Sequence, residues 1–503
     1  MSGTTREGPA GSSPAGAAVQ SASGRRRPIR RWGGAALIGA VAALSVVALA
    51  VPSLASSGPT GPVSASPALY TPELATTGAT QQIRQLVQCG NTMYAVGSFT
   101  SIQRIKTTYA RENVFSFSAT APFKVTSWAP DVNGVVNSIA FSGGNCADAY
   151  IGGQFSAVGG TVVKNIAEVD TSAGAVVAGF AHSASGSVQT LLGVGGHILA
   201  GGYYTSVNGS SADPYMTSLS PVTGRDDGFL RLGISGNYQF SGVASNATRV
   251  FNQSLSHSGQ YDLVMGDFTS AGGLPRQQIF MLNLATSPAT VTGWTSPEWD
   301  GSLGEATPAD PTNGYPYQCA TVEPFYIQAA AWSVDDSTIF IGTTGYHPNG
   351  FPTGETTRTG LCDAAASFPA TINPPAQSDG QPGYVLHNWV NYTGCDSLYA
   401  AAADSSAAYF AGHERYSMNP SDCDALGEGG YNAPGIEGLS PTTGALYTDP
   451  TGTVGYYSRA RGLGADDMLV TSAGLWIASD NYDGSQMCGG QQNLSGICFL
   501  PYS

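Results

Sequence analysis

The chain has 503 residues, of which 11% are charged and 66 are glycine. Its first 55 residues hold six arginines and one glutamate, so the remaining chain carries 14 basic and 33 acidic residues, a formal charge of −19. Nucleic acid is excluded as the expected partner because it requires clustered cations, and the acidity favours solubility outside the cell over a cation-collecting surface.

The N-terminal part of the chain has the composition of an export signal. Residues 1–32 are rich in small residues and Arg and are too polar to bury a core, so a disordered basic region is expected. An apolar run from Gly33 to Val51 then precedes Ser53-Leu54-Ala55, a small-x-small cleavage site. Residues 33–55 are therefore predicted to be a signal peptide, with the general secretory route favoured over the twin-arginine route.

A signal anchor is the alternative for residues 33–55, because about 20 apolar residues suffice to cross a bilayer. Both interpretations place the following chain outside the cell, either secreted or held at the cell membrane by an uncleaved N-terminal segment. A linker rich in Ser, Gly and Pro spans residues 56–67. Residues 68–503 are predicted to form one domain, which we expect to be a monomer.

One pattern recurs through this domain. The stretch YIGGQFSAVGG, residues 150–160, alternates large apolar and small residues and runs into a Gly-Gly turn, which predicts a short buried strand before a tight connection. Seven copies are present, and their central positions are Gly97, Gly153, Gly202, Gly266, Gly342, Gly412 and Ser479. The repeats favour a single domain over the several that the length alone suggests.

A second series of aromatic residues runs in phase with the first, about 30 residues after each glycine. Its members are Trp128, Phe180, Phe229, Trp294, Trp389 and Tyr447. An extra copy, Tyr70 in ALYTPE, precedes all of these and resembles Tyr447 in ALYTDP. A third strand lies between the two series and ends the chain as ICFLPYS. The last repeat therefore lacks a fourth strand, and the N-terminal segment has a spare one.

These counts predict a closed ring. The fold expected is all-β, a seven-bladed β-propeller of four-stranded antiparallel blades, with a strand near Tyr70 joining the last blade so that no sheet end is exposed. The repeat resembles the bacterial delta-60 type, Gly-x-Phe-Thr followed by Gly-Gly, most clearly over residues 93–294. The residues that carry this resemblance best are Gly153, Phe155, Gly159, Gly160, Ile166, Val169 and Phe180. The resemblance implies the fold and an exported bacterial protein, but no single activity.

All eight cysteines follow the predicted signal, which indicates an oxidising compartment. The propeller interpretation limits their pairing, because connections on the same face of the ring lie close together. The predicted disulfides are Cys319–Cys362 in the fifth blade, Cys395–Cys423 in the sixth, Cys89–Cys146 between the first and second, and Cys488–Cys498 as the remainder. No cysteine or histidine spacing supports zinc.

Function is expected on the long loops of the fifth to seventh blades, since long ordered loops on one face commonly carry function. Aromatic rings and carboxylates there suit a carbohydrate or peptide ligand. The candidate binding residues are Tyr346, His347, His413, Glu414, Arg415, Asp480, Asn481 and Tyr482, and a further loop on this face holds Trp299, Asp300, Tyr315 and Tyr317.

Each candidate also has a purely structural interpretation. The sequence His413-Glu414-Arg415 is typical of a solvated turn with a local ion pair, and Tyr346-His347 of packing within a loop. The Asp480–Gly484 segment favours an ordinary Asp-Gly turn over a calcium loop, so no cofactor is predicted and calcium is the alternative. From the inner strands, Arg84, Arg459 and Arg461 are placed either to reach the central channel or to hydrogen-bond neighbouring carbonyls.

No catalytic signature is present: the sequence lacks a Gly-x-Ser-x-Gly elbow, a His-Glu-x-x-His motif, a P-loop and a dinucleotide fingerprint. The preferred hypothesis is an exported, non-catalytic protein that binds a glycan, a peptide or a cell-envelope component on one propeller face. The first alternative is a glycoside hydrolase or lyase with paired carboxylates such as Glu414 and Asp480. The second is a structural surface scaffold.

Overall fold

Antiparallel β-strands are the regular elements of the part of the chain that the structure describes. The computed structural model describes residues 61–237, 247–299, 327–344, 361–378, 380–420, 425–482, 488–491 and 494–502, all within the unit Ser56–Ser503. These ranges contain no helix, and hence none that is long and apolar enough to cross a membrane. The predicted signal segment, residues 33–55, lies outside them.

Seven sheets follow one another along the described residues, each with consecutive strands paired, and they are called sheets 1 to 7. Sheet 1 comprises Gln82–Cys89, Thr92–Ser98 and Val114–Ser118; sheet 2 comprises Val135–Ser142, Asn145–Gln154 and Ile166–Asp170; sheet 3 comprises Val188–Val194, His197–Gly202 and Met216–Leu219. Sheet 4 comprises Arg249–Leu255, Tyr261–Asp267, Ile279–Asn283 and Thr290–Val291; sheet 5 comprises Ile327–Trp332, Thr338–Thr343, Ala364–Pro369 and Trp389–Tyr392. Sheet 6 comprises Leu398–Ala403, Ala408–Gly412 and Glu437–Leu439; sheet 7 comprises Asp467–Thr471, Gly474–Ala478 and Ile497–Pro501.

Short strands extend the connections between the second and third strands of four sheets. In the described residues they are Ser101–Arg104 with Thr107–Ala110, Ala157–Val158 with Thr161–Val162, Ser270–Ala271 with Leu274–Pro275, and Tyr416–Ser417 with Tyr431–Asn432. Glu73–Leu74, which precedes sheet 1, pairs with Ser101–Arg104.

The repeat predicted around residues 150–160 forms the second strands. In sheet 7 the whole second strand, Gly474–Ala478, is buried, and in sheet 2 the buried part runs over residues 149–153. A strand in the middle of a sheet that is covered on both faces needs apolar or small side chains at every position. This is why the repeat contains only large apolar and small residues over its buried part.

The aromatic residues of the predicted series lie at the outer edge of the sheets. In sheets 1, 2, 3 and 6 the third strand pairs with an outer residue through an isolated bridge, at Val125, Val176, Asp226 and Leu446 respectively. The indole N–H of Trp128 donates to the carbonyl of Asp170, at the end of the third strand of sheet 2, over 3.0 Å. Trp294 and Trp389 make the same contact to the next sheet, so these aromatic residues join neighbouring sheets.

The repeated glycine is required by a close approach of two strands. A Cβ on Gly97 would lie 2.0 Å from the carbonyl oxygen of Gln82, and one on Gly153 would lie 2.1 Å from that of Val135. In sheet 5 the corresponding position is Thr343, which faces Ile327 as Gly412 faces Leu398 in sheet 6. The prediction that Gly342 marks this repeat is therefore one residue early.

The N-terminal segment lies along the outer edge of sheet 7. The backbone N–H of Ser64 donates to Pro501 O and that of Ala68 to Phe499 O, both over 2.8 Å. Ser64 lies in the predicted linker, residues 56–67, and both pairing residues precede Tyr70, near which the joining strand is predicted. Tyr70 is not itself part of this pairing: its φ of 69° places it in a turn, and 59% of the residue is exposed.

Apolar clusters lie between consecutive sheets in the described residues. One contains Ile139 of sheet 2 with Val96 of sheet 1, and equivalent clusters join sheets 2 and 3, 3 and 4, 4 and 5, 5 and 6, and 6 and 7. A further cluster packs Trp476 of sheet 7 against Phe117 of sheet 1, with 5.6 Å between ring centroids. Sheets that pack face to face in sequence order form a β-propeller.

Two predicted disulfides are confirmed. Cys89–Cys146 joins sheets 1 and 2, and Cys488–Cys498 closes a loop of sheet 7. Cys362 and Cys395 are also disulfide-bonded. Their predicted partners, Cys319 and Cys423, lie outside the described residues, so those two pairings stay predictions.

Candidate functional site

The first strands of the seven sheets each place one side chain in a common cavity. In sheets 1 to 6 the register between the first and second strands shifts by one residue near the start of the first strand. A bulge of this kind re-aims the extra residue and increases the local twist. The residues at the shifts are Arg84, Asn137, Gln189, Phe251, Gln328 and Tyr399, and Asp466 precedes the first strand of sheet 7 at the equivalent position.

These seven residues line a cavity of about 390 Å³ at the N-terminal ends of the first strands. We call it the mouth cavity. Its remaining lining residues are Gln85, Ser138, Thr190, Tyr203, Arg249, Asn252 and Asp467. The volume is within the range of small-ligand sites, about 300–1,000 Å³.

Hydrogen bonds from one sheet to the next hold the wall of this cavity. The carboxylate of Asp467 accepts from Leu86 N–H over 2.9 Å, and the amide oxygen of Gln85 accepts from Ile139 N–H over 2.7 Å. The hydroxyl of Ser138 then accepts from Leu191 N–H over 2.9 Å. A polar side chain on one first strand therefore satisfies a backbone donor on the following one, starting with the step from sheet 7 to sheet 1.

Arg84 and Asp466 place opposite charges on one side of the cavity. The guanidinium Nη1 of Arg84 donates to Asn137 Oδ1 over 2.8 Å, and Asn137 in turn donates to Val188 O over 2.9 Å. Burial raises the pKa of the Asp466 carboxyl to about 7, while the charge of Arg84 acts in the opposite direction. Arg84 Nε and Asp466 Oδ2 are buried and have no hydrogen-bond partner within the described chain.

Aromatic rings lie on the opposite side of the cavity, around Arg249. Its guanidinium carbon is 4.9 Å from the ring centroid of Tyr203 and 5.9 Å from that of Phe251. The guanidinium also donates to the Tyr203 hydroxyl. Tyr203 remains 41% exposed, so one face of this aromatic group is open to a ligand.

A second chamber of about 310 Å³ continues further along the first strands of sheets 4 to 7 and shares Asn252, Tyr399, Asp466 and Asp467 with the mouth cavity. Its walls include the alanine runs 329–331 and 400–403. Small side chains there leave volume that larger residues would fill, so the cavity is deeper on this side.

The predicted residues 413–415 are mostly enclosed by the protein. Glu414 is fully buried, and burial, with the nearby charge of Glu437, raises its pKa well above the usual value. The guanidinium of Arg415 donates two hydrogen bonds to Asp396, over 2.7 and 2.9 Å, and its backbone N–H donates a third over 3.0 Å. Burial and the charge of Arg461 lower the pKa of the half-buried His413. The local ion pair expected for this turn is present, but with Asp396 as the acid.

The predicted residues Asp480 and Asn481 connect sheet 7 to the start of sheet 1. Asp480 accepts backbone N–H groups of Leu463 and Tyr482, over 2.9 and 2.6 Å, and burial raises its pKa. Asn481 Oδ1 accepts from Gln81 N–H over 2.8 Å. Of residues 480–482, the described part of this turn, Tyr482 is the exposed one, at 52%.

The other loop candidates are divided between the core and the part of the chain that is not described. Trp299 is buried and packs 4.5 Å from Phe368 between ring centroids, so it belongs to the core. Tyr346, His347, Asp300, Tyr315 and Tyr317 lie outside the described residues. Within the described chain no group of three or more His, Cys, Asp or Glu side chains is arranged to hold a metal ion.

Of the mouth-cavity residues, the sequence pointed only to Arg84, whereas Arg459 and Arg461 donate to backbone carbonyls instead. The sequence does contain a pattern that marks the other cavity residues. Near the start of each first strand is a triplet, an apolar residue followed by two residues of which at least one lines the cavity. Its copies include Ile83-Arg84-Gln85, Val136-Asn137-Ser138, Val188-Gln189-Thr190 and Val250-Phe251-Asn252. The triplet becomes visible only once the first strands are aligned by their bulges.

A scan against protein-family models gives no match, and neither does a search of curated proteins. Similar solved structures include the WD40 β-propeller domain of Doa1, with 11% identity over 81% of this chain and 94% of that one and a TM-score of 0.38. U3-55K shows 8% identity over 87% of this chain and 100% of that one, with a TM-score of 0.45. The Cps50 (Swd1) β-propeller domain of Myceliophteria thermophila shows 8% identity over 79% and 96%, with a TM-score of 0.39. Because these TM-scores are below 0.5, the fold assignment rests on the sheets described above.

Proposed function

We propose that this chain is an exported, seven-bladed β-propeller that binds a ligand without catalysis. The ligand is a glycan, a peptide or another cell-envelope component, and it binds on the face that holds the mouth cavity. The observation that carries the proposal is the cavity of about 390 Å³, to which the first strand of every sheet contributes a side chain. Convergent polar groups in a concave site are typical of ligand binding.

A closed ring of seven blades is part of this proposal. It is supported by the apolar cluster between sheets 7 and 1 and by the hydrogen bond from Leu86 to Asp467. The pairing of Ser64 and Ala68 with the last strand supports closure by the N-terminal segment. Export, with the signal at residues 33–55 either cleaved or retained as an anchor, is supported by the disulfides, which form in oxidising compartments.

A carboxylate-based glycosidase has less support. Its acid and base must both reach the substrate, but Glu414 is fully buried and Asp480 is 7% exposed and held by backbone donors. A structural scaffold, the remaining alternative, does not require the mouth cavity to bind anything. The experiment therefore needs to separate binding in the cavity from attachment elsewhere.

Thermal-shift measurements against cell-wall glycans, peptides and envelope extracts provide this test, using protein expressed from the full-length sequence. Gln189 lines the cavity, and its side-chain amide donates to Ser187 Oγ, two residues away. Gln189→Trp is therefore expected to fill the cavity without unfolding sheet 3. Val222→Trp, at a position 75% exposed outside the cavity of the same blade, is the matched control.

A ligand is expected to raise the melting temperature of the natural protein and of Val222→Trp but not of Gln189→Trp. A shift that persists in Gln189→Trp would place binding elsewhere. The absence of a shift for every probe would favour the scaffold.

A further inference from the structure

We infer, building on the proposed function, that the mouth cavity accepts a neutral polyhydroxylated ligand, the end of a saccharide chain. The inference selects one of the ligand classes above and rests on four features of the cavity wall: its charge balance, its amides, its rings and one pair of unpartnered polar atoms.

The charged groups that line the cavity balance one another. Above about pH 7, where Asp466 is ionised, the charges of Arg84 and Arg249 are offset by those of Asp466 and Asp467. Two of these charges are also engaged within the wall: Arg249 packs against the Tyr203 and Phe251 rings, and Asp467 accepts from a backbone N–H. An ionic ligand would leave a net charge in a partly desolvated site, which is costly. A neutral ligand avoids this cost.

Neutral hydrogen-bonding groups make up half of the lining. They are Gln85, Asn137, Ser138, Gln189, Thr190, Asn252 and Gln328. Amide and hydroxyl side chains include both donors and acceptors, and a sugar hydroxyl can likewise donate and accept. The contacts between sheets orient part of this set before a ligand arrives, as with Ser138 Oγ bonded to Gln85 Oε1 over 3.0 Å. Such preorganisation lowers the cost of binding.

Three rings, those of Tyr203, Phe251 and Tyr399, supply flat apolar surface beside these polar groups. A pyranose or furanose ring has C–H faces that pack on aromatic rings while its edges carry the hydroxyls. Aromatic surface beside placed polar groups is found in small-ligand sites, and polar residues make up the larger part of this lining.

The unpartnered atoms Arg84 Nε and Asp466 Oδ2 provide the most specific contact. They require, respectively, an acceptor and a donor. A ligand hydroxyl can accept from the guanidinium and donate to the carboxylate, whereas a carboxylate ligand can satisfy only Arg84 and an ammonium only Asp466. We therefore assign Arg84 and Asp466 to hydroxyl groups of the ligand.

Titration calorimetry with defined probes tests this inference. The first panel contains neutral di- and trisaccharides of hexoses, pentoses and N-acetylhexosamines; the second contains uronic-acid oligosaccharides and charged tripeptides. Natural protein is compared with Asp466→Asn, Phe251→Leu, Gln189→Trp and, as the control for loss of a carboxylate, Asp449→Asn in an exposed turn. Unfolding curves verify that each variant is folded.

At least one neutral saccharide is expected to bind. At pH 8, where most of Asp466 is ionised, its affinity should fall about tenfold in Asp466→Asn, because the ligand hydroxyl loses a charged acceptor. The affinity should also fall in Phe251→Leu, vanish in Gln189→Trp and stay unchanged in Asp449→Asn. Binding of only the charged probes, abolished by Gln189→Trp, would overturn the saccharide inference and leave the proposed binding function standing. No binding of either panel by the natural protein would overturn both.

Discussion

The carboxylate Oδ2 of Asp467, on the first strand of sheet 7, accepts a hydrogen bond of 2.9 Å from the backbone N–H of Leu86, on the first strand of sheet 1. The two residues are 381 positions apart, so this bond joins the two ends of the domain. Gln85 and Ser138 make the equivalent bonds to sheets 2 and 3. The wall of the mouth cavity and the contact between the first and last sheets therefore depend on the same type of interaction.

Replacing Asp467 with Ala is expected to lower the free energy of unfolding by about 1–3 kcal/mol, because the Leu86 N–H would lose its acceptor. Asp467→Asn keeps an oxygen at this position and should cost less than half as much. Urea unfolding of both variants measures the difference. Equal losses for Ala and Asn would show that the hydrogen bond contributes nothing.

Stability is expected to fall as the pH rises from about 5 to about 8. Burial raises the pKa of Glu437 to about 8 and that of Asp466 to about 7, and raises the pKa of Glu414 well above its usual value. A carboxyl whose pKa is higher in the folded state binds more protons there than in the unfolded chain, so ionising it at higher pH destabilises the fold. The melting temperature should therefore be higher at pH 5 than at pH 8.

Glu437→Gln isolates one such carboxyl. The variant keeps a neutral group of similar shape. Its stability should therefore decrease less between pH 5 and 8 than that of the natural protein, and it should be the more stable of the two at pH 8.

A different group acts at acid pH. Hydrogen bonds from Ser172 and from backbone N–H groups lower the pKa of Asp170 to about 2, and this stabilisation is lost below about pH 4. A melting temperature that rises steadily from pH 5 to 8 would contradict the prediction.

The fold was more accessible from the sequence than the site. Strands and disulfides follow from local patterns: the apolar run of residues 149–153 predicts a buried strand, and the positions of Cys89 and Cys146 before successive second strands predict their bond. The mouth cavity depends instead on the register of paired strands, which decides that Gln189 lines the cavity and Val188 is buried. That information is not local.

The predicted site residues that follow the second strand of sheet 6 show that a polar loop sequence can be buried. The turn 413–415 directly follows a fully buried strand, Ala408–Gly412, so its side chains turn into the protein as well as out of it. Glu414 is buried and Arg415 is held by Asp396. A polar sequence near a predicted loop therefore did not ensure exposure.

Gly153→Ala tests the close approach of the first two strands in sheet 2. Its Cβ would lie 2.1 Å from Val135 O, and backbone there cannot yield as a flexible side chain can. We expect a loss of about 3 kcal/mol or more in the free energy of unfolding. Gly179→Ala is the matched control, because the nearest atom is 3.9 Å away, and it should change stability by less than about 0.5 kcal/mol. Similar losses in both variants would contradict the close approach.

The two confirmed disulfides should differ in their contributions. Cys89–Cys146 closes a separation of 57 residues and Cys488–Cys498 one of 10. In the chain-entropy model the longer loop gives about 4 kcal/mol and the shorter one less than about 3 kcal/mol. Paired Cys→Ala variants of each bridge, compared by denaturant unfolding, should rank in this order. The reverse order would contradict the chain-entropy model, in which the longer bridge stabilises the fold by restraining the unfolded chain.

The docked N-terminal segment depends on tyrosine hydroxyls at Val63. Tyr409 OH accepts from Val63 N–H over 3.0 Å, Tyr457 OH donates to Val63 O over 2.8 Å, and Val63 is fully buried. Tyr409→Phe removes the acceptor and is expected to cost about 1–3 kcal/mol. Tyr482→Phe, at an exposed position, should be neutral. The rate of limited proteolysis before residue 69 measures the docking directly. We expect Tyr409→Phe to be cut faster than the control. An unchanged rate would mean that the backbone hydrogen bonds of Ser64 and Ala68 hold the segment without Tyr409.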